Sequence, residues 1–119
     1  MSLIKPDDFA GRPYVGGLNQ LGHVVAGAAA FAIAALVFPF WVAFAVSVVG
    51  ILAIELSQFL KLNATAPDLL RDTVFWGVGV GGWAAATACN FAGWWVDDLP
   101  IVPVVAFFIE YARISLNGK

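Results

Sequence analysis

Residues 21–54 contain no Asp, Glu, Lys or Arg, and this apolar stretch limits the possible folds of the chain more than any other feature. A helix needs about 20 residues to cross a hydrocarbon core about 30 Å thick, so the sequence from residue 21 to residue 60 is long enough for two crossings. Pro39 divides it, because proline disfavours helical geometry in the preceding residue and is favoured at the start of a helix. The sequence therefore predicts a tight helical hairpin, with spans at about residues 21–40 and 41–60.

The composition of the chain is that of a membrane protein. Of its 119 residues, 61% are hydrophobic and 12% are charged, and the mean hydropathy is +0.88. Soluble domains carry about 25% charged residues. Two further apolar stretches, at about residues 73–96 and 99–116, complete four predicted spans. We therefore predict an all-α integral membrane protein, a four-helix transmembrane bundle that forms one domain over residues 1–119 and has the lipid bilayer as its solvent.

The basic residues predict the orientation of these spans, because cytoplasmic segments of membrane proteins carry the excess of Lys and Arg. With four spans, all six basic residues fall on one side: Lys5, Arg12, Lys61, Arg71, Arg113 and Lys119. We expect a multi-pass protein of the cell inner membrane, with both termini and the N-terminal segment 1–18 in the cytoplasm. The basic residues form no cluster and the net charge is −2, so no nucleic-acid partner is expected.

The aromatic residues agree with this orientation, since Trp and Tyr are enriched at membrane interfaces. The predicted outer interface contains Trp41, Trp94 and Trp95. The predicted inner interface contains Trp76 and Tyr111. The single cysteine, Cys89, has no partner for a disulfide or a CxxC motif, and we interpret it as a packing residue.

Span three is rich in glycine, and Gly77 and Gly81 form a GxxxG pattern within it. The bare backbone of such a pattern lets a second helix approach closely. We predict that these two glycines pack helices together within one subunit. A dedicated dimerisation face is the alternative.

The polar residues of the apolar chain all fall near one predicted membrane boundary. Glu55 and Gln58 are three residues apart at the end of span two, and therefore lie on one helix face. His23 lies about one turn inside span one, and Asp68 and Asp72 lead into span three. A carboxylate at the centre of a membrane helix costs about 2.5–3.5 kcal/mol on insertion scales. Glu55 needs a partner for this reason, and we predict His23. The alternative is that Glu55 is protonated, or extends to water, and does not pair with His23.

Each of these residues also has a structural explanation that involves no ligand. His23 is explained by a hydrogen bond between helices, Asp72 by capping of the next helix, and Asp68 by solvation. Glu110 and Arg113, in the last turns of span four, fit an ion pair within one helix. The sequence leaves these alternatives open.

Three short segments, "LNQLGH", "IELSQF" and "PDLLRDTVFWGVGVGG", resemble the VanZ-like membrane family over about residues 19–82. The resemblance implies four spans. It also implies that four residues occupy positions of the family's polar signatures: His23, Glu55, Gln58 and Asp68. The chain departs from the family pattern at three positions, with Asn19 in place of Asp, Asp72 in place of Asn, and Phe75 in place of Gly.

The sequence favours a polar pocket open to the cytoplasmic leaflet, which binds a lipid head group or a cation. The residues that would form it are His23, Glu55, Gln58, Asp68 and Asp72. The chain has no HExxH, GxSxG or phosphate-binding loop, so the sequence leaves open whether it is an enzyme, and no cofactor is predicted. The alternatives are an accessory subunit of a larger membrane complex, with other membrane subunits as partners, and, less well supported, a pore-former of the holin type.

Overall fold

The computed structural model describes residues 9–88 and 101–117, and this part of the chain contains four helices and no strand. In chain order they are α1 (Pro13–Ala35), α2 (Phe40–Lys61), α3 (Ala66–Ala88) and α4 (Ile101–Asn117). The predicted all-helical fold is confirmed. Of the described helices, α1 and α2 are long and apolar enough to cross a membrane. The last eight residues of predicted span three, with Trp94 and Trp95, lie outside the described residues, as does Cys89.

The hairpin between α1 and α2 forms at the predicted break. α1 ends at Ala35, and the amide nitrogens of Val37 and Phe38 bond to the carbonyl of Ala34 and close the turn. Pro39 has an extended backbone, with φ −60° and ψ 159°, and α2 begins at the next residue. Proline stops one helix and starts the next here because its ring fixes φ and disfavours helix in the residue before it.

Two helices begin earlier than the sequence predicted. α1 starts at Pro13 rather than residue 21, and Pro13 suits a first turn because its missing N–H needs no partner there. The predicted N-terminal segment 1–18 is therefore helical from Pro13 onward. α3 starts at Ala66 rather than at residue 73. The hydroxyl of Thr65, just before this helix, accepts a hydrogen bond from the backbone amide of Asp68 at 3.3 Å. Asp72 lies inside α3, so its interpretation as a helix cap is wrong.

α1 is the central helix and packs against α2, α3 and α4. α1 crosses α3 closely because each helix places a glycine against the backbone of the other. A Cβ at Gly79 would overlap the carbonyl oxygen of Val24, and a Cβ at Gly27 would overlap the carbonyl oxygen of Trp76. Helices therefore meet here through bare backbone.

The predicted packing role of Gly77 and Gly81 needs correction within this chain. A Cβ at either position would meet no described atom within 4 Å. Gly77 and Gly81 are each two residues from Gly79, and two residues turn the side-chain direction on a helix by about 200°. Both glycines therefore face away from the α1–α3 crossing. Gly79, which lies between them, makes the close helix contact that the sequence predicted for Gly77 and Gly81.

Candidate functional site

The bundle buries a layer of polar side chains. Within the described residues, this layer contains Asn19, Gln20, His23, Glu55, Gln58, Asp68, Asp72 and Glu110, each at most 8% exposed. All five residues predicted for the site belong to it. α1 begins before predicted span one, so His23 lies ten residues, or about 15 Å, after the first residue of its helix.

His23, Glu55 and Asp72 come together from three different helices. The Nε2 atom of His23 lies 3.9 Å from Oε1 of Glu55 and 3.9 Å from Oδ2 of Asp72. Each residue offers one nitrogen or oxygen atom, and the three atoms lie within 4.8 Å of one another. The predicted neighbours His23 and Glu55 are therefore adjacent, although their distance exceeds that of a hydrogen bond.

The ring of His23 is oriented by its own helix. Its Nδ1 atom lies 2.8 Å from the backbone carbonyl oxygen of Asn19, one turn earlier. A carbonyl oxygen only accepts, so Nδ1 carries the proton and donates. In the neutral ring, Nε2 then keeps a free lone pair, and it points toward the two carboxylates. This atom is buried and makes no hydrogen bond within the described residues.

Glu55 is held by a tryptophan rather than by His23. The indole Nε1 of Trp76 donates to Oε1 of Glu55 at 2.6 Å, and both side chains are buried. The interpretation of Trp76 as an interfacial residue is therefore wrong, since it is 6% exposed and its ring meets the ring of His23 at 85° with 5.1 Å between the centroids. The sequence contains no signal for this, because Trp is frequent at both kinds of position.

Asp72 is held by a residue that the sequence analysis did not select. The amide of Gln20 donates to Oδ1 of Asp72 at 2.6 Å, which leaves Oδ2 facing His23. Gln20 precedes His23 by three residues, so helical spacing alone places both on one face of α1. That spacing was the signal by which Gln20 could have been found.

The other two predicted site residues are Asp68 and Gln58. Asp68 forms an ion pair with Arg71, one turn along α3. Gln58 is buried on the same face of α2 as Glu55, and its backbone carbonyl accepts from the amides of Leu62 and Ala64 at the end of the helix. Both belong to the polar layer, and Asp68 is not one of the three converging donors.

A second group of charges joins α3 to α4. Nε of Arg71 lies 3.5 Å from Oε1 of Glu110, and Arg113 donates to both carboxylate oxygens of Glu110 at 2.6 and 2.9 Å. The ion pair between Glu110 and Arg113, which the sequence suggested as a structural explanation, is present. These contacts neutralise Glu110 and Asp68, whereas Glu55 and Asp72 face each other across His23.

The site is closed in this structure, in contrast to the open pocket that the sequence favoured. His23 and Glu55 are each 1% exposed, and Asp72 is 8% exposed. The grooves on the bundle surface are apolar. One of 400 Å³ between α2 and α3 is lined by Leu52, Leu56, Ala66, Leu69, Leu70 and Thr73. A ligand between the three polar side chains is therefore a single atom or small molecule unless the helices separate.

Comparison of the chain with protein-family models, with curated proteins and with solved structures finds no match.

Proposed function

We propose that the chain is a multi-pass membrane protein whose helices enclose a small cationic ligand. The observation that supports this most is the inverted distribution of its side chains, with carboxylates inside and large apolar residues outside. Leu36 is 86% exposed, Val37 is 76% exposed and Leu60 is 68% exposed. Apolar surfaces of this extent need a bilayer or a partner to cover them.

The proposal includes four spans with both termini in the cytoplasm. α1 and α2 have the length and composition of membrane helices, and the apolar sequence of α3 and α4 extends the bundle. The segments that resemble the VanZ-like family support the same arrangement. Two of the residues that carry this resemblance, His23 and Glu55, belong to the group of three at the centre of the polar layer.

The charge of the polar layer supports a cationic ligand. Four carboxylates, those of Glu55, Asp68, Asp72 and Glu110, share two guanidinium groups, those of Arg71 and Arg113. With the acids ionised and His23 neutral, the described residues of the layer leave two negative charges uncompensated. Buried charges are retained when they are paired or coordinate a cation, because an isolated ion loses its hydration. The closed geometry favours this ligand over a whole lipid head group.

A second candidate function is that of an accessory subunit in a membrane complex. It is favoured by Gly77 and Gly81, which lie on a part of α3 where a Cβ would meet nothing within 4 Å. A helix from another protein could approach closely there. The first proposal and this one are compatible, but each predicts a different result on purification.

The test is purification of the untagged chain from membranes in mild detergent, followed by native mass spectrometry. The first proposal predicts membrane extraction only by detergent and a bound mass that is lost in Glu55→Gln. Asp68→Asn is the matched control, because it removes a carboxylate from the same layer but outside the group of three. A stoichiometric protein partner with no bound ligand would support the accessory role, and recovery in the soluble fraction would refute both.

A further inference from the structure

We infer that His23, Glu55 and Asp72 form a binding site for one divalent transition-metal ion of the Zn²⁺ class, which ties α1, α2 and α3 together. The inference rests on the proposed cationic ligand and names its chemistry. Three observations carry it: the convergence of the three donor atoms, the free lone pair of a buried imidazole, and the hydrogen bonds that fix each side chain.

The distances match a metal site that contracts slightly when the ion binds. Two ligands at about 2.1 Å from a tetrahedral Zn²⁺ lie about 3.4 Å apart. Nε2 of His23 lies 3.9 Å from an oxygen of each carboxylate, and all three donor atoms are within 4.8 Å of one another. The contacts of His23 would shorten by about 0.5 Å and the carboxylate pair by at most about 1.4 Å, which rotation of the Glu55 and Asp72 side chains would supply.

Each ligand already has the hydrogen-bond partner that metal ligands need. A ligating histidine usually donates its other N–H to a carbonyl or carboxylate, as Nδ1 of His23 does to Asn19. Trp76 donates to Glu55 and Gln20 donates to Asp72, so both carboxylates are oriented as well. Such partners fix the ligands before the ion arrives, and this reduces the entropy lost on binding.

The ligand set selects among cations. Imidazole suits Zn²⁺ and related transition metals, whereas Ca²⁺ takes six to eight oxygen ligands and Mg²⁺ keeps several waters in an octahedral shell. Three protein ligands leave one tetrahedral position for water. The side-chain oxygen of Gln20, whose amide nitrogen donates to Asp72, is a buried acceptor without a hydrogen bond among the described residues, and such a water has protons to donate.

Protons bound to the carboxylates are the competing explanation for the buried charge. They would neutralise Glu55 and Asp72 without any need for His23, whose Nε2 lies 3.9 Å from an oxygen of each carboxyl group. The two explanations differ in their dependence on metal. A Zn²⁺ site binds one ion per chain and loses affinity when any of the three ligands is removed, whereas a protonated cluster binds none.

The test is titration of Zn²⁺ into the purified full-length chain in detergent, stripped with a chelator and without a polyhistidine tag. Cys89→Ser is the background for every sample, so that a thiol cannot supply the affinity. Competition with a fluorescent chelator should give one Zn²⁺ per chain. His23→Gln, Glu55→Gln and Asp72→Asn should each weaken binding at least about tenfold, the lower limit for loss even of a supporting residue.

Asp68→Asn is the matched control and should weaken Zn²⁺ binding less than any of the three ligand substitutions, because Asp68 pairs with Arg71 and acts on Asp72 only through its charge. Mg²⁺ and Ca²⁺ in large excess should not displace Zn²⁺. If a variant of one of the three ligands does not fold, the Cys89→Ser protein still tests the inference, because Zn²⁺ should raise its Tm and Mg²⁺ should not.

The result that overturns the inference is a folded, membrane-extracted background protein that binds no Zn²⁺, or binds it equally well after all three substitutions. Such a protein would still satisfy the proposed function if it carried another bound cation that Glu55→Gln removes. Conversely, a protein that binds Zn²⁺ but is recovered in the soluble fraction would retain the metal site and refute the membrane proposal.

Discussion

The indole of Trp76 donates a hydrogen bond to the carboxylate of Glu55, with 2.6 Å between Nε1 and Oε1. This bond joins α3 to α2 inside the bundle, next to the ring of His23. It satisfies one oxygen of a buried carboxylate and leaves His23 Nε2 without a hydrogen bond from the described residues. The partner predicted for Glu55 is therefore its neighbour, and Trp76 is its hydrogen-bond donor.

Trp76→Phe should lower the free energy of unfolding by about 2 kcal/mol, because a hydrogen bond to a charged group contributes about 1.5–3 kcal/mol. Unfolding in mixed detergent micelles, followed by circular dichroism, measures the change. Trp41→Phe is the control: Trp41 is 75% exposed, so its replacement should change the value by less than about 0.5 kcal/mol. Equal losses in the two variants would mean that the bond contributes nothing.

The misassignment of Trp76 shows what the sequence can and cannot predict. Apolar runs and Pro39 predict the helices and the hairpin, and the shared depth of the polar residues predicts that His23 and Glu55 are neighbours. The direction in which each helix faces depends on packing between helices, and no periodicity in this uniformly apolar sequence reveals it. Gly79 was missed in favour of Gly77 and Gly81 for the same reason.

The close crossing of α1 and α3 predicts opposite effects at two glycines. Gly79→Ala should destabilise the bundle by about 1–3 kcal/mol, because the added methyl group overlaps the carbonyl oxygen of Val24 on α1. Gly77→Ala should be neutral or stabilising, since it meets nothing within 4 Å and alanine favours helix by up to about 1 kcal/mol. Thermal unfolding in one detergent compares them.

A larger loss of stability at Gly77 than at Gly79 would contradict this crossing. If Gly77→Leu instead left the monomer stable but abolished association with a copurifying protein, the exposed face of α3 would be assigned to a partner. That result would support the accessory role.

Glu110 should contribute more to stability than Arg113, one of the two arginines that it contacts. Glu110→Gln should cost about 3 kcal/mol, because it leaves Arg71 and Arg113 without their shared buried partner. Arg113→Gln should cost less, since the Arg113 side chain is 34% exposed and water replaces part of the pair. Chemical unfolding of the two variants checks the order. A larger effect from Arg113→Gln would show that Glu110 is not the centre of this group.

The orientation is tested by single cysteines in the Cys89→Ser background. Leu62→Cys, after α2, and Asn117→Cys, at the end of α4, should react with an impermeant maleimide only from the cytoplasmic side. Val37→Cys, in the turn between α1 and α2, should react only from the other side. Labelling of positions 62 and 117 from opposite sides would replace four spans with three.

The most direct test of the account is X-ray absorption at the zinc edge on the Zn²⁺-loaded Cys89→Ser protein. Convergence of His23, Glu55 and Asp72 predicts a shell of nitrogen and oxygen atoms at about 2.0–2.2 Å, with the outer-shell scattering of one imidazole and no sulfur. His23→Gln should remove the imidazole scattering. A shell of water oxygens alone, or imidazole scattering that survives His23→Gln, would contradict the proposed site.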